Sequence, residues 1–173
     1  MSLLSPLKER RKVYLVVLFS LITSTALGSA WSIGETEAEE TVRQFESMLP
    51  ERVSPLFIFG NNFRASLAML IPFIGLPLAY YITFSTGRIL AAFGFERHIS
   101  GLLLFGFTAL MPFFWLEFLA YGLTSTECVY LTLGLLKRRV KEELKPLLLT
   151  IGISFALLLI GAWVEFIMVE YLI

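Results

Sequence analysis

Two glutamates, Glu117 and Glu165, stand inside long apolar runs, LLLFGFTALMPFFWLEFLAYGL and ISFALLLIGAWVEFIMVEYLI. An ionisable side chain in such surroundings costs about 2.5 kcal/mol or more at the centre of a bilayer, so each calls for a partner or a wet cavity. A third polar group, Asn61, Asn62 and Arg64 in FGNNFRASLAML, opens another apolar run. Arg64 is a natural counter-ion for a glutamate, and the two amides can cap a helix or bridge helices. Two readings of these five residues stay open: they fasten helices to one another, or they form an outward-facing site for a cation or proton. Glu127, beside Thr124, Ser125, Thr126 and Cys128, faces either a polar pocket or a neighbouring helix.

Other chemistry is poorly represented. The single Cys128 excludes an intrachain disulfide and a cysteine cluster, and the single His98 cannot supply a histidine metal triad. No HExxH, GxSxG or Walker pattern occurs. Neither catalytic residues nor a metal or cofactor is expected. Lys plus Arg equals Asp plus Glu, 14 each, so no overall field argues for nucleic acid.

The elements that must position these residues read as membrane helices. The chain is 57% hydrophobic and only 16% charged, against about 25% charged in a typical soluble domain, with a mean hydropathy of +0.77. At roughly 20 residues per crossing, 173 residues form a single polytopic domain, 1–173. Lys8, Arg10, Arg11 and Lys12 precede an apolar run at 13–33, which reads as a first helix with a cytoplasmic N-terminus. Gly28-Ser29-Ala30 resembles a signal cleavage site, but the apolar stretch exceeds the usual 7–15 residues, which favours a retained anchor. Segment 34–54 is acidic and expected outside. Val42, Phe45, Met48 and Leu49 recur in it at helical spacing, predicting a short amphipathic helix.

Further helices are predicted at about 57–84, 99–111, 113–136 and 147–173. Pro72, Pro77, Gly87 and Pro112 are the expected helix breaks. Arg88, Arg97 and His98 then fall on the cytoplasmic side, as does the basic run KRRVKEELK, which can touch anionic lipid heads. The whole is an all-α integral membrane protein with about five transmembrane helices, one of them short or re-entrant, and its C-terminus outside. Glu165 lies 18 residues beyond Leu147, ~27 Å along a helix. Glu117, Glu165 and the Asn61–Arg64 group are thereby expected together at the outer leaflet, where Trp31, Trp115 and Trp163 suit an aromatic belt.

At these residues the sequence resembles the stage II sporulation protein M family of multi-pass membrane proteins. The family's Asn-Asn pair opening a Gly-containing helix appears as FGNNFRASLAML with Gly75 downstream. Its Pro-His-Gly turn followed by Glu and Ala appears as MPFFWLEFLA, where Pro112, Glu117 and Ala120 match, and its terminal Ile-Glu-x-Phe element appears as AWVEFIM around Glu165. Phe113 and Phe114 replace the His-Gly of the turn, and Thr86-Gly87 replaces an Asn-Gly step. The resemblance covers most of the chain from Phe57 onward. It implies a scaffold in a membrane complex, without implying sporulation itself.

The expected function is accordingly that of a non-enzymatic subunit of the cell membrane, assembling with other membrane or extracytoplasmic proteins or with copies of itself. The alternative is a small transporter or channel component that binds a cation or proton at the polar cluster.

Overall fold

The computed structural model describes residues 5–171, with side chains from Arg10 to Glu170. Among the described residues the chain is all-helical: α1 (Ser5–Ser29), α2 (Glu35–Met48), α3 (Pro55–Ala68), α4 (Gly75–Glu96), α5 (Gly101–Leu110), α6 (Pro112–Leu136), a 3-10 turn (Val140–Glu142) and α7 (Leu144–Tyr171). Residues 172 and 173 of the expected closing helix lie outside the described residues.

α6 runs through the middle of the bundle. It buries Phe114, Phe118, Ala120, Tyr121 and the whole polar stretch Thr124 to Cys128. α1 lies antiparallel to it, with Tyr14 reaching the Leu119 carbonyl at 3.5 Å while Arg10 meets Glu127. α7 is antiparallel on another side, where Ser154 bonds the Ala120 carbonyl and Gly161 lies against Leu116. α3 runs parallel to α6, through Asn62 at Glu117 and Ser66 at Thr124, and sets Phe59 and Phe63 edge-on to Phe155 of α7.

α4 is parallel to α1. A Cβ at Gly28 would overlap the Phe84 carbonyl oxygen, and one at Gly87 the Thr25 carbonyl oxygen. Only glycine at both positions lets the two backbones meet, the close approach that stabilises helix pairs in lipid, where burial of apolar surface gives no drive. Gly87 therefore breaks nothing: it lies inside an unbroken α4 and serves the contact instead. Pro77 also fails to break its helix, because it sits in the first turn of α4, where a missing N–H is tolerated.

The segment expected as one helix over 57–84 is two, separated by a turn at 69–74 that contains Pro72. Phe73 adopts φ 66° there, and its N–H donates to Thr132 Oγ1 at 2.9 Å. The turn folds so tightly that a Cβ at Gly75 would overlap the Met69 carbonyl oxygen and press on Cys128 Sγ. At the next break, Met111 is extended (φ −80°, ψ 138°) and Pro112 takes the first position of α6.

Two helical stretches, Arg10–Ser29 and Leu144–Glu170, are long and apolar enough to cross a membrane, and a third span results if α4 and α5, bent 119° to each other, count as one. That is fewer than the five expected. α3, with 14 residues, and α5, with 10, reach only about 21 and 15 Å at 1.5 Å per residue, short of the ~30 Å hydrocarbon core. α6 is long enough but is interrupted by Glu117 and Glu127 and buried among its neighbours. α7 is apolar all round and exposes Leu148, Leu149, Ile160, Trp163 and Ile167, as a helix facing lipid does.

The bundle has two chemically distinct ends. One gathers Arg10, Arg11 and Lys12 of α1 with Lys137, Arg138, Arg139, Lys141 and Lys145 from the α6–α7 connection. The other carries α2, which lays Ala38 and Val42 against Ala92, sets Phe45 edge-on to Phe93 at 5.7 Å and pairs Glu37 with Arg88. Arg88, expected across the membrane from the acidic segment, thus lies at the same end. The cause is the continuation of α4 to Glu96, past the point where the sequence reading ends a helix.

Candidate functional site

α6 and α7 meet at Gly161, where a Cβ would stand 3.4 Å from Leu116 Cβ and 3.8 Å from Glu117 Cγ. Side chains on a helix lean toward its N-terminus, so Glu165, one turn beyond Gly161, reaches back to the level of Glu117. The two carboxyl groups lie within side-chain hydrogen-bonding reach of each other. Asn62 on α3 donates its Nδ2–H to Glu117 Oε1, and Tyr121, one turn on from Glu117, is buried within electrostatic reach of both carboxyls. Three helices converge on this group.

Asn61 and Arg64 take no part in it. Asn62 and Ser66, four residues apart, form the face of α3 that meets α6, which turns Asn61 and Arg64 to exposed positions. Among the described residues Arg64 forms no ion pair with Glu117 or Glu165. The arrangement is thus two carboxyls and an amide with no cationic side chain, able chemically to hold a proton or to ligate a small cation through carboxylate and carbonyl oxygens.

A second cluster lies toward the basic end. Glu127 is 3% exposed and pairs with Arg10 Nη1 at 3.0 Å. The other guanidinium nitrogen of Arg10 pairs with Glu143, and its plane lies 4.0 Å from the centre of the Tyr130 ring. Glu143 arrives because α6 ends in a left-handed residue, Arg138 at φ 55°, with Arg139 N–H bonded to the Gly134 carbonyl at 2.7 Å. This is a Schellman turn, and it folds the 3-10 turn back so that Glu143 Cγ packs over Gly134. Sequence reasoning missed this cluster because Arg10 reads as part of a topology signal and Glu143 as part of a charge run. The available clue was the polar stretch around Glu127, which needed a cation from somewhere.

Buried beside that ion pair, Ser125 Oγ, Thr126 Oγ1 and Glu127 Oε1 have no hydrogen-bond partner among the described residues. His98, the single histidine, is the left-handed residue ending α4 (φ 55°) and is exposed. Among the described residues no group of three or more His, Cys, Asp or Glu side chains is placed to hold a metal ion. Compared with known proteins, the chain matches no family model, no curated protein and no solved structure.

Proposed function

We propose that this chain is a non-enzymatic subunit of a cell-membrane complex, with its basic end and N-terminus in the cytoplasm and its C-terminus outside, and that it docks other proteins through the outward face of α2. The observation that carries this reading is the two-sidedness of α2. Its apolar stripe and Glu37 pin it to α4, while Glu35, Glu39, Glu40 and Glu46, with Arg43 among them, are exposed beside and beyond that stripe. A helix held rigidly at the end of a membrane bundle with four carboxylates turned outward suits a partner bearing a basic surface. The motif resemblance to the stage II sporulation protein M family agrees with a scaffold role. Cross-linking in native membranes tests it: a defined partner band lost on changing Glu35, Glu39, Glu40 and Glu46 together to Gln supports the proposal. A gently solubilised protein that runs as an isolated monomer and yields no cross-linked species sinks it.

A second reading is favoured by one specific feature, the contact of Glu117 with Glu165 without a cationic side chain. A pair of glutamates is a poor helix fastener beside the Arg10–Glu127 pair of the same bundle, and a good seat for a proton or a monovalent cation. The helix break near it, at Met111, is of the kind found where backbone at membrane depth lines a cavity. On this reading the protein is a small transporter or channel component. Proton or cation flux into liposomes that is lost in Glu117→Gln and Glu165→Gln supports it, and flux unchanged by either substitution excludes it.

A further inference from the structure

A groove of about 490 Å³ opens between α1, α6 and α7 toward the basic end, within the roughly 300–1,000 Å³ of small-molecule sites. Its chemistry is divided. Arg11 and Lys145 stand at the bundle end, both exposed, and neither forms an ion pair among the described residues. Leu123, Leu149 and Ile153 form an apolar wall running toward the middle of the bundle. Thr126 lies between the two regions, and its buried hydroxyl has no hydrogen-bond partner among the described residues. Arg10 and Glu127 also line the groove, and there the one Arg10 cation is shared between two carboxyl groups, Glu127 and Glu143, so the cations without an ion-pair partner among the described residues are Arg11 and Lys145.

We propose that this groove binds one anionic phospholipid, its phosphodiester held between Arg11 and Lys145 and an acyl chain laid along Leu123, Leu149 and Ile153. Charge complementarity selects the headgroup: the two cations answer a negative phosphodiester, and a zwitterionic head would bring its own ammonium up to them. The free Thr126 hydroxyl supplies a donor for an ester or phosphate oxygen. Free phosphate would leave the apolar wall without a purpose. A partner helix would cover two cations without answering their charge, at a desolvation cost of several kcal/mol per ion. The proposal is independent of what α2 docks or what Glu117 and Glu165 bind.

Native mass spectrometry of the full chain in mild detergent, titrated with phosphatidylglycerol, phosphatidylcholine or glycerol phosphate, tests it. A single phosphatidylglycerol adduct is expected, accompanied by a higher unfolding temperature, with neither effect from the other two. Arg11→Gln combined with Lys145→Gln should weaken the adduct about thirtyfold, at roughly fivefold per basic residue near a membrane surface. Ile153→Trp, which fills the groove and leaves the charges in place, should weaken it as well. Arg138→Gln combined with Lys141→Gln, outside the groove, should leave it unchanged. Equal binding of phosphatidylcholine, displacement by glycerol phosphate, an equal loss in the Arg138/Lys141 variant, or full binding by the Arg11/Lys145 variant would each overturn the proposal. So would a dimer that forms through this face and excludes the lipid.

Discussion

Glu127 and Glu117 meet the same difficulty, a carboxyl group inside an apolar bundle, with different partners. Glu127, with 4% of its side chain exposed, is neutralised by Arg10, while Glu117 is met by the Asn62 amide and the Glu165 carboxyl. Removing the cation from the first site strands a buried charge, so Arg10→Gln should cost about 3 kcal/mol of stability in detergent. The double variant Arg10→Gln, Glu127→Gln should regain most of that loss, and a double-mutant cycle showing simple additivity would refute the coupling. At the second site Asn62→Leu should cost about 1–3 kcal/mol by leaving Glu117 without its donor, whereas Arg64→Gln should stay within about 0.5 kcal/mol of the parent. Thermal unfolding of these variants side by side with the parent, and with Glu127→Gln to close the cycle, separates these cases. Glu117, Glu165 and Asn62 are visible in sequence because polar groups in apolar runs stand out. Arg10 is not, since its partner lies 117 residues away and its immediate neighbours are other basic residues.

Single backbone positions set the shape of the helices. α4 ends with His98 left-handed, the Ile99 N–H bonded to the Gly94 carbonyl at 2.9 Å. Glycine adopts that conformation without the Cβ penalty, so His98→Gly should raise stability by about 0.5–1 kcal/mol, read as a higher unfolding midpoint. Gly87→Val acts in the opposite direction. Its branched side chain would drive α4 away from Thr25 and Gly28 of α1 and should lower the midpoint by more than any exposed substitution on the same helix. The ends of α5 and α6 are legible because Pro112 fixes a helix start, and that of α7 because Pro146 stands in its first turn. The fold-back between α3 and α4 is not. A phenylalanine carries no signature for φ 66°, and the hydroxyl that holds it, Thr132, is 59 residues distant. Two prolines in an apolar run therefore read as kinks in one helix, and Gly87 as a break, when the turn lay at 69–74 and the glycine served a contact.

On the scale of the whole molecule, the formal net charge of zero conceals a separation between the two ends. Unpaired basic side chains cluster around Arg11, Lys12 and the α6–α7 connection, and the carboxylates of α2 occupy the opposite end beyond Ser29 and Ala92. In a bilayer such an asymmetry sets orientation, since Lys and Arg next to a span are retained in the cytoplasm while acidic residues contribute little. α1 and α7 both run from the basic to the acidic end, so the two termini of the described chain lie at opposite ends of the bundle. Arg43, Arg52, Arg64, Arg88 and Arg97 toward the acidic end do not reverse the bias, because Arg10, Arg11, Lys12, Lys137, Arg138, Arg139, Lys141 and Lys145 outnumber them at the other. Cysteine accessibility can read this directly. The native Cys128 is buried and its Sγ bonds the Ile71 carbonyl at 3.2 Å, so it should stay silent toward a bulky membrane-impermeant maleimide. Exposed positions at the two ends, Ser47 on α2 and Lys141 between α6 and α7, tolerate a new cysteine. Intact cells should label Ser47→Cys alone, and Lys141→Cys should react only after the membrane is opened. Labelling of Lys141→Cys from outside would reverse the orientation and would move the acidic face of α2, and any partner it docks, into the cytoplasm.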